Sequence, residues 1–195
     1  MSITTMWTHG NALVAEDPGE YASIRHRGWG TELSYNNPGD DDNYRVCHIP
    51  LPTLTSVDGE SPKLSKVTIL YETGGGAFIE RVDVWDATQR IAQFPGIYYD
   101  KPLPPTGFSG YQSHLSPDRY NVLLFDPPYE AQSGIGISLL VALTGASSDP
   151  NVPSDPLTVM IAGVGADFVF PMPVLRRVVA TETIEISETD VKPAH

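Results

Sequence analysis

The chain has 195 residues, and its 12 Lys and Arg against 24 Asp and Glu give a formal net charge of −12 at pH 7. This charge argues against a nucleic-acid backbone or an anionic membrane surface as a partner. The length suits one domain with a sizeable core. The 17 Gly and 18 Pro are interspersed with apolar runs, which favours a folded, turn-rich protein over disorder.

Short segments rich in Val, Ile, Thr, Tyr and Phe recur along the chain, separated by clusters of Gly, Pro, Asn and Asp. This pattern is typical of an all-β protein, and we predict an antiparallel β-sandwich, jelly-roll-like, with about eight to ten strands. The candidate strands, in chain order, are residues 3–7, 12–16, 22–27, 31–34, 44–51, 64–72, 77–86, 90–94, 119–125, 135–144 and 157–162.

The middle of the chain carries the clearest strand pattern. Val67, Ile69 and Tyr71 occupy alternate positions, which gives the segment one apolar face. The glycines within residues 73–76 can adopt the positive φ angles of a tight turn. We therefore predict a hairpin between the strands on either side of this turn.

Residues 135–143 are apolar at nearly every position. Such a run predicts a central strand covered on both faces. A buried helix is the alternative, and Gly134 and Gly136 disfavour it because glycine destabilises helices.

The organisation of the chain changes near residue 170. We predict a sandwich domain over residues 1–170, with long loops at 99–117 and 144–156. Residues 171–195 are predicted to be an arm or extra strand that can be exchanged with a neighbouring subunit, which points to a homo-oligomer.

Cysteine use and hydropathy bear on the compartment. Cys47 is the single cysteine, so no intramolecular disulfide can form, and we interpret its side chain as a small core hydrophobe. The first residues resemble no secretory signal, and the longest apolar stretch is far shorter than the ~20 residues a membrane span needs. We predict a cytoplasmic protein that does not bind membranes.

Patterns that carry catalysis are missing from the sequence. The five histidines are scattered and form no His-x-His or His-Glu-x-x-His motif. Cys47 and His48 are neighbours in a predicted strand, so their side chains point to opposite faces. Ser138 lies outside any Gly-x-Ser-x-Gly elbow, and Gly163-Val-Gly165 lacks the lysine and helix of a phosphate loop. The absence of these motifs favours a non-catalytic protein without a cofactor.

One acidic loop is a candidate metal site. Asp40, Asp41, Asp42 and Asn43 supply closely spaced oxygen ligands, and Ca²⁺ takes about six to eight of these. A solvated acidic loop is the alternative, since the spacing is not that of an EF-hand. Asp83 and Asp86, on either side of Trp85, are a second candidate cation site, with the solvent-facing side and end of a strand as the favoured alternative.

Aromatic side chains offer a different kind of site, a platform on which sugar rings stack. The three tryptophans are nonetheless expected to lie mostly in the core. The available residues are Trp7, Trp29, Trp85, Tyr98, Tyr99, Tyr111 and Tyr120.

An ordered series of motifs is distributed over residues 6–168. The motifs are Met6-Trp-Thr-His-Gly-Asn11, Arg27-Gly-Trp-Gly-Thr31, His48-Ile-Pro-Leu-Pro-Thr53, Phe78-Ile-Glu-Arg-Val-Asp-Val-Trp-Asp86, Gly134-Ile-Gly-Ile-Ser138 and Ala162-Gly-Val-Gly-Ala-Asp-Phe168. Together they resemble a family of uncharacterised, mostly bacterial single-domain proteins that begin Trp-x-His-Gly and end near Ala-Gly-Ala-Asp-Phe. The resemblance implies a β-sandwich and no activity. This chain departs from it in the segment after Phe168 and in the extra Val164.

The candidate ligand-binding residues are Trp7, His9, Trp29 and His48. Trp7 and His9 are two positions apart, so they share one side of a strand and can line a pocket with Trp29. A structural role for His9, as a hydrogen-bonded tie between the first strand and a loop, is the favoured alternative. We predict a non-catalytic ligand-binding or assembly protein that forms a homo-oligomer, with a small molecule or glycan as ligand. The alternative is a glycan-active or metal-dependent enzyme with a site near His9 and His48.

Overall fold

A computed structural model describes residues 2–35, 44–56, 61–96, 115–117, 121–143 and 157–170. These residues form eleven strands and two short 3₁₀ turns, Gly10–Ala12 and Pro18–Glu20. None of the helical segments in this part of the chain has the length and apolar character that crossing a membrane demands. The strands are β1 (Ser2–His9), β2 (Val14–Ala15), β3 (Tyr21–Arg27), β4 (Gly30–Tyr35), β5 (Tyr44–Pro50), β6 (Lys63–Gly74), β7 (Ala77–Asp86), β8 (Gln89–Pro95), β9 (Val122–Glu130), β10 (Ile135–Leu143) and β11 (Leu157–Phe170).

The strands form two antiparallel sheets. Sheet A has the order β3-β4-β11-β6-β9 with β1 also paired to β11, and sheet B has the order β2-β5-β10-β7-β8. β7 pairs with β8, β6 with β9, β5 with β10 and β4 with β11. These are the pairings of one long hairpin folded so that successive pairs alternate between two sheets, which is the jelly-roll topology. The predicted all-β sandwich is confirmed.

The core lies between the sheets and follows the period-two alternation of the strands. Val67, Ile69 and Tyr71 of β6 are fully buried and face residues of sheet B such as Cys47 and Leu139. Apolar alternation in the sequence therefore identified the inward side of these strands.

Each predicted strand segment corresponds to an observed strand, and the hairpin of β6 and β7 is confirmed, with Gly75 and Gly76 at positive φ in its turn. Residues 135–143 form the central strand β10, not a helix. The prediction that both faces of β10 are covered is wrong in part, because Gly136, Ser138 and Leu140 on its outer side are only half-buried. That side of β10 is available to a site.

Two strands run further than predicted. β9 continues through Pro127 and Pro128, because it lies at the edge of sheet A. Residues 125–128 form a bulge opposite the single residue Ser65. In such a bulge, proline does not have to donate a backbone hydrogen bond to the neighbouring strand. β11 continues past Ala162 through Gly163 and Gly165 to Phe170. The glycines do not end the strand, since β6 and β1 pair with it on both sides.

β11 organises the rest of sheet A. β6 pairs along one edge of β11, while β4 and β1 share its other edge, β4 covering residues 157–161 and β1 covering residues 163–170. The ends of β1 and β4 therefore meet opposite Ala162. The predicted arm at 171–195, the loop at 144–156 and most of the loop at 99–117 lie outside the described residues.

Candidate functional site

The first strand presents Trp7 and His9 on the outer face of sheet A. Met6, between Thr5 and Trp7, packs against the core, so the odd-numbered residues of β1 point outward. The prediction that Trp7 and His9 share one side of a strand is confirmed. Trp7 lies opposite Gly165 of β11, and His9 lies opposite Gly163.

The indole of Trp7 lies flat on β11. A Cβ placed on Gly165 would be 2.7 Å from Cε2 of Trp7 and 2.8 Å from both Cδ2 and Cζ2. Near-equal distances to three consecutive ring atoms place this position over the face of the ring rather than at its edge. One face of the indole therefore covers Gly165, and the opposite face points to solvent, which agrees with the 45% exposure of Trp7.

His9 holds the end of β1 to the turn between β3 and β4. Its Nδ1 accepts a hydrogen bond from the backbone N–H of Asn11 at 3.3 Å, so the ring proton resides on Nε2, which donates to the carbonyl oxygen of Gly28 at 3.2 Å. Asn11 adds a hydrogen bond from its side-chain amide to the carbonyl of Arg27 at 2.9 Å. The predicted structural tie is confirmed, and it fixes the turn that carries Trp29.

Trp29 lines an apolar groove of about 460 Å³ together with Leu115, Met160 and Ala162. Trp29 is 44% exposed and Leu115 is 50% exposed. Cε3 of Trp7 lies 3.9 Å from a Cβ built on Gly163, the residue after Ala162, so Trp7 and the groove that Trp29 lines border neighbouring stretches of the outer side of β11. We call this surface, made of Trp7, Trp29, Leu115, Met160 and Ala162, the aromatic strip.

Charged side chains border the aromatic strip, and they are paired. Next to Trp7, Asp167 accepts a hydrogen bond from Thr5 at 2.8 Å and forms an ion pair with Lys66 at 2.7 Å. Near the groove, Glu32 lies opposite Met160 and forms ion pairs with two arginines of β3, at 3.5 and 3.7 Å.

His48 lies on the other sheet. Its neighbours Cys47 and Ile49 are fully buried, so His48 points outward from sheet B, whereas Trp7, His9 and Trp29 belong to the outer side of sheet A. The structure thus brings three of the four predicted ligand-binding residues together and leaves His48 apart. A single site that contains both His9 and His48 has no support in this arrangement.

His48 takes part in a small cluster beside a depression of about 370 Å³. Its Nδ1 is 2.9 Å from Oγ of Ser138, and its Nε2 is 3.6 Å from Oε2 of Glu16. The depression is bordered by Trp85 and Gly136 as well as by His48 and Ser138. Ser138 is in the middle of β10 and pairs with residues on both β5 and β7, so the backbone N–H groups around it belong to the sheet.

The second candidate cation site, Asp83 and Asp86, finds no support among the described residues, and its solvent-facing alternative is wrong, because both residues are buried and their carboxylates serve the fold. Oδ1 of Asp86 accepts a hydrogen bond from the backbone N–H of Ser133 at 2.9 Å. Oδ2 of Asp86 accepts from the N–H of Gln132 at 2.7 Å and from the hydroxyl of Tyr129 at 3.1 Å. Burial and the hydrogen bond to Asp86 raise the pKa of Tyr129.

Asp83 is an ion-pair partner of two arginines, Arg81 at 2.9 Å and Arg90 at 3.6 Å. The calcium candidates Asp40, Asp41, Asp42 and Asn43 lie outside the described residues. Within the described part of the chain, no group of three or more His, Cys, Asp and Glu side chains is placed to hold a metal ion.

Cys47 is fully buried, as predicted for a core side chain. Burial raises the pKa of its thiol to about 12, which keeps the sulfur protonated at neutral pH. Burial likewise raises the pKa of Tyr21 and of Tyr35, whose rings pack 5.1 Å apart in the same region. Cys47 therefore has no chemistry to offer a ligand.

Sequence reasoning missed Met160, Leu115 and the two glycines of β11 as parts of the site. It also expected the tryptophans to lie mostly in the core, and this is wrong, because Trp7 and Trp29 are exposed and Trp85 is only partly buried. One signal was present in Gly163-Val-Gly165. In a strand, this spacing removes two side chains from the same face and leaves room for a ring.

No protein-family model and no curated protein matches this chain. The family resemblance carried by the motifs between residues 6 and 168 therefore stays a prediction. Several of those motifs nonetheless contain residues of the aromatic strip, namely Trp7, Trp29 and Ala162.

Proposed function

We propose that the protein is a non-catalytic binding module whose ligand lies on the aromatic strip. The observation that carries this proposal is the distribution of exposed apolar side chains. Seven large hydrophobic residues among those described are exposed, and five of them belong to the outer side of sheet A: Ile3, Trp7, Trp29, Leu115 and Leu124. A concentration of apolar surface rimmed by polar groups is typical of an interaction site.

We propose no catalytic activity because the polar side chains around the aromatic strip are already engaged in other contacts. Both ring nitrogens of His9 are engaged in hydrogen bonds that hold the turn. Asp167 and Glu32 are paired with cations. A general acid or base needs a side chain that is free to exchange a proton with a bound substrate, and these three side chains already serve the fold.

The three tryptophans allow a direct test. Each indole N–H gives one resonance in a proton–nitrogen correlation spectrum, and single Trp→Phe variants assign them. A library of small ring compounds should shift the resonances of Trp7 and Trp29 and leave that of Trp85, on sheet B, in place. Shifts confined to Trp85, or no shifts at all, would contradict the proposal.

A hydrolase centred on Ser138 is a second candidate, favoured by the contact of Ser138 with His48 and of His48 with Glu16 beside a depression. The pairing of a serine with an imidazole is what activates a nucleophile. Oγ of Ser138 should then displace fluoride from a fluorophosphonate probe, losing its proton and gaining one phosphonyl group that mass spectrometry detects. An unmodified chain after prolonged exposure would exclude this function.

We also propose that the protein acts as a homo-oligomer joined through residues 171–195. Support comes from the sequence of that segment, in which Ile184 and Ile186 alternate with Thr183, Glu185 and Ser187 as in an added strand.

A further inference from the structure

The orientation of Trp7 restricts what can bind to it. Because one face of the indole covers Gly165, a ligand meets the other face and not the ring edge. The face of an aromatic ring carries partial negative charge, so it favours a flat group with polarised C–H bonds. One face of a sugar ring in the chair form is such a group, since its axial C–H bonds point in one direction.

The aromatic strip is elongated. Gly165, under Trp7, and Met160, in the groove beside Trp29, are five positions apart on β11, which corresponds to roughly 16 Å along an extended strand. The two indoles are held at fixed places, Trp7 by β11 and Trp29 by the turn that His9 fixes. A linear ligand with repeated rings fits this arrangement better than a single small ring does.

The carboxylates that border the aromatic strip can accept hydrogen bonds from the hydroxyl groups around a sugar ring. Asp167 lies two positions beyond Gly165 on the same side of β11, about 7 Å away. Each of its carboxylate oxygens accepts one hydrogen bond or ion-pair contact, from Thr5 and Lys66, and each has a second lone pair for a ligand hydroxyl. Glu32 offers the same capacity at the other end of the strip.

The net charge of the chain favours a neutral ligand over an anionic one. Lys66 is already paired with Asp167, whereas Arg25 and Arg27 share the one carboxylate of Glu32, which leaves a single positive charge at that end of the strip. The protein has a formal net charge of −12, so a sulfated or uronic-acid polysaccharide would be repelled.

From these observations we propose that the aromatic strip binds an uncharged linear carbohydrate, with sugar rings stacked on Trp7 and Trp29 and hydroxyl groups bonded to Asp167 and Glu32. This inference rests on the proposed function, because it names the class of ligand for the same surface.

The test uses the full chain and defined probes. These are linear oligomers of glucose, mannose, xylose, galactose and N-acetylglucosamine, together with polygalacturonate and a proline oligomer. Isothermal titration calorimetry gives the affinity, and the indole resonances give the location. We expect at least one neutral oligomer to bind and to shift Trp7 and Trp29 but not Trp85.

The variants W7A and W29A should each weaken that binding by about tenfold, the worth of an aromatic stacking contact. Tyr44→Ala is the matched control, because Tyr44 is a half-exposed aromatic residue at the start of β5 on sheet B. The affinity of the Tyr44→Ala variant should stay within about twofold of that of the unmodified protein. Circular dichroism of every variant establishes that it is folded.

Each other outcome overturns the inference in a distinguishable way. Binding of polygalacturonate or the proline oligomer alone would assign the strip to an anionic glycan or to a peptide. If no oligomer of the panel binds at millimolar concentration, while small ring compounds still shift the resonances of Trp7 and Trp29, the ligand is not a carbohydrate but the proposed binding surface stands. If neither class of probe moves these resonances, the proposed function fails as well.

Discussion

Replacing Gly165 with alanine tests the seating of Trp7 without removing the ring. The new methyl group would lie 2.7–2.8 Å from three atoms of the indole, whereas carbon atoms in contact prefer about 3.5–4.0 Å. β11 is paired on both edges and cannot retreat. The ring must therefore lift by about 1 Å and give up part of its contact with the sheet.

Two opposing terms set the expected change in stability. Overpacking by a methyl group costs about 1–3 kcal/mol, and replacing glycine by alanine in a strand returns about 0.5–1 kcal/mol through the smaller entropy of the unfolded chain. The free energy of unfolding should fall by about 1–2 kcal/mol, which for a chain of this size lowers Tm by roughly 2–8 °C.

Urea unfolding followed by circular dichroism measures this change, and Gly136→Ala is the matched control. Gly136 also points outward from a central strand, but a Cβ there would meet nothing within 4 Å. The same substitution at Gly136 should be neutral or stabilise by about 0.5–1 kcal/mol. The two variants are thus expected to differ in sign.

A double variant separates the ring from the backbone. In the W7A background, the additional change G165A should no longer destabilise, because the three atoms nearest to the new methyl group all belong to the indole. Equal losses from G165A with and without Trp7, or a loss from Gly136→Ala as large as that from G165A, would refute the flat seating of the ring.

Three further predictions concern the fold and the assembly. Asp86→Asn should lower the free energy of unfolding by about 2–4 kcal/mol, since a charged acceptor of three hydrogen bonds is lost, and unchanged urea unfolding would contradict its structural role. Because burial raises the pKa of Cys47 from 9.0 to about 12, stability is retained below pH 9 and falls above it by about 1.4 kcal/mol per pH unit, as the unfolded chain releases a proton that the folded chain keeps. Cys47→Ala should lose less stability than the unmodified chain between pH 8 and pH 10, and parallel losses would show that the thiol is not responsible. If the proposed homo-oligomer forms through residues 171–195, deleting the residues after Pro173 should dissociate it in size-exclusion chromatography with light scattering, and an intact assembly would rule out the arm as its basis.

Much of the fold could be predicted because burial in a sandwich imposes a period of two on the sequence. The alternating apolar residues of β6 and the glycines that follow them identified this strand and its turn. The prediction was least accurate where pairing overrides local preference. β9 accommodates Pro127 and Pro128 at a sheet edge, and β11 continues through Gly163 and Gly165 because strands pair with it on both sides.

The site was harder to predict because its parts meet only in the folded chain. Trp7 and His9 could be assigned to one side of a strand from their spacing, but nothing local indicates that β1 pairs with β11, far along the sequence. His48 shows the reverse problem. Its motif and its chemistry suggested the same pocket as His9, and only the strand order assigns the two histidines to different sheets.

Glycine in the interior of a strand weakens the strand, and β11 has two glycines on its outer side, at a central position of sheet A. A tryptophan that served only the core would be more stable when buried than when 45% exposed. Instead, β11 has no side chains at Gly163 and Gly165, and the indole of Trp7 lies flat on the strand there with one face toward solvent. The contact of the indole with Gly165 returns part of this stability, but the ring face left in solvent does not, and such local choices are expected at functional sites. The two glycines and Trp7 therefore support the proposed binding surface, on which a ligand would cover the exposed face of the ring.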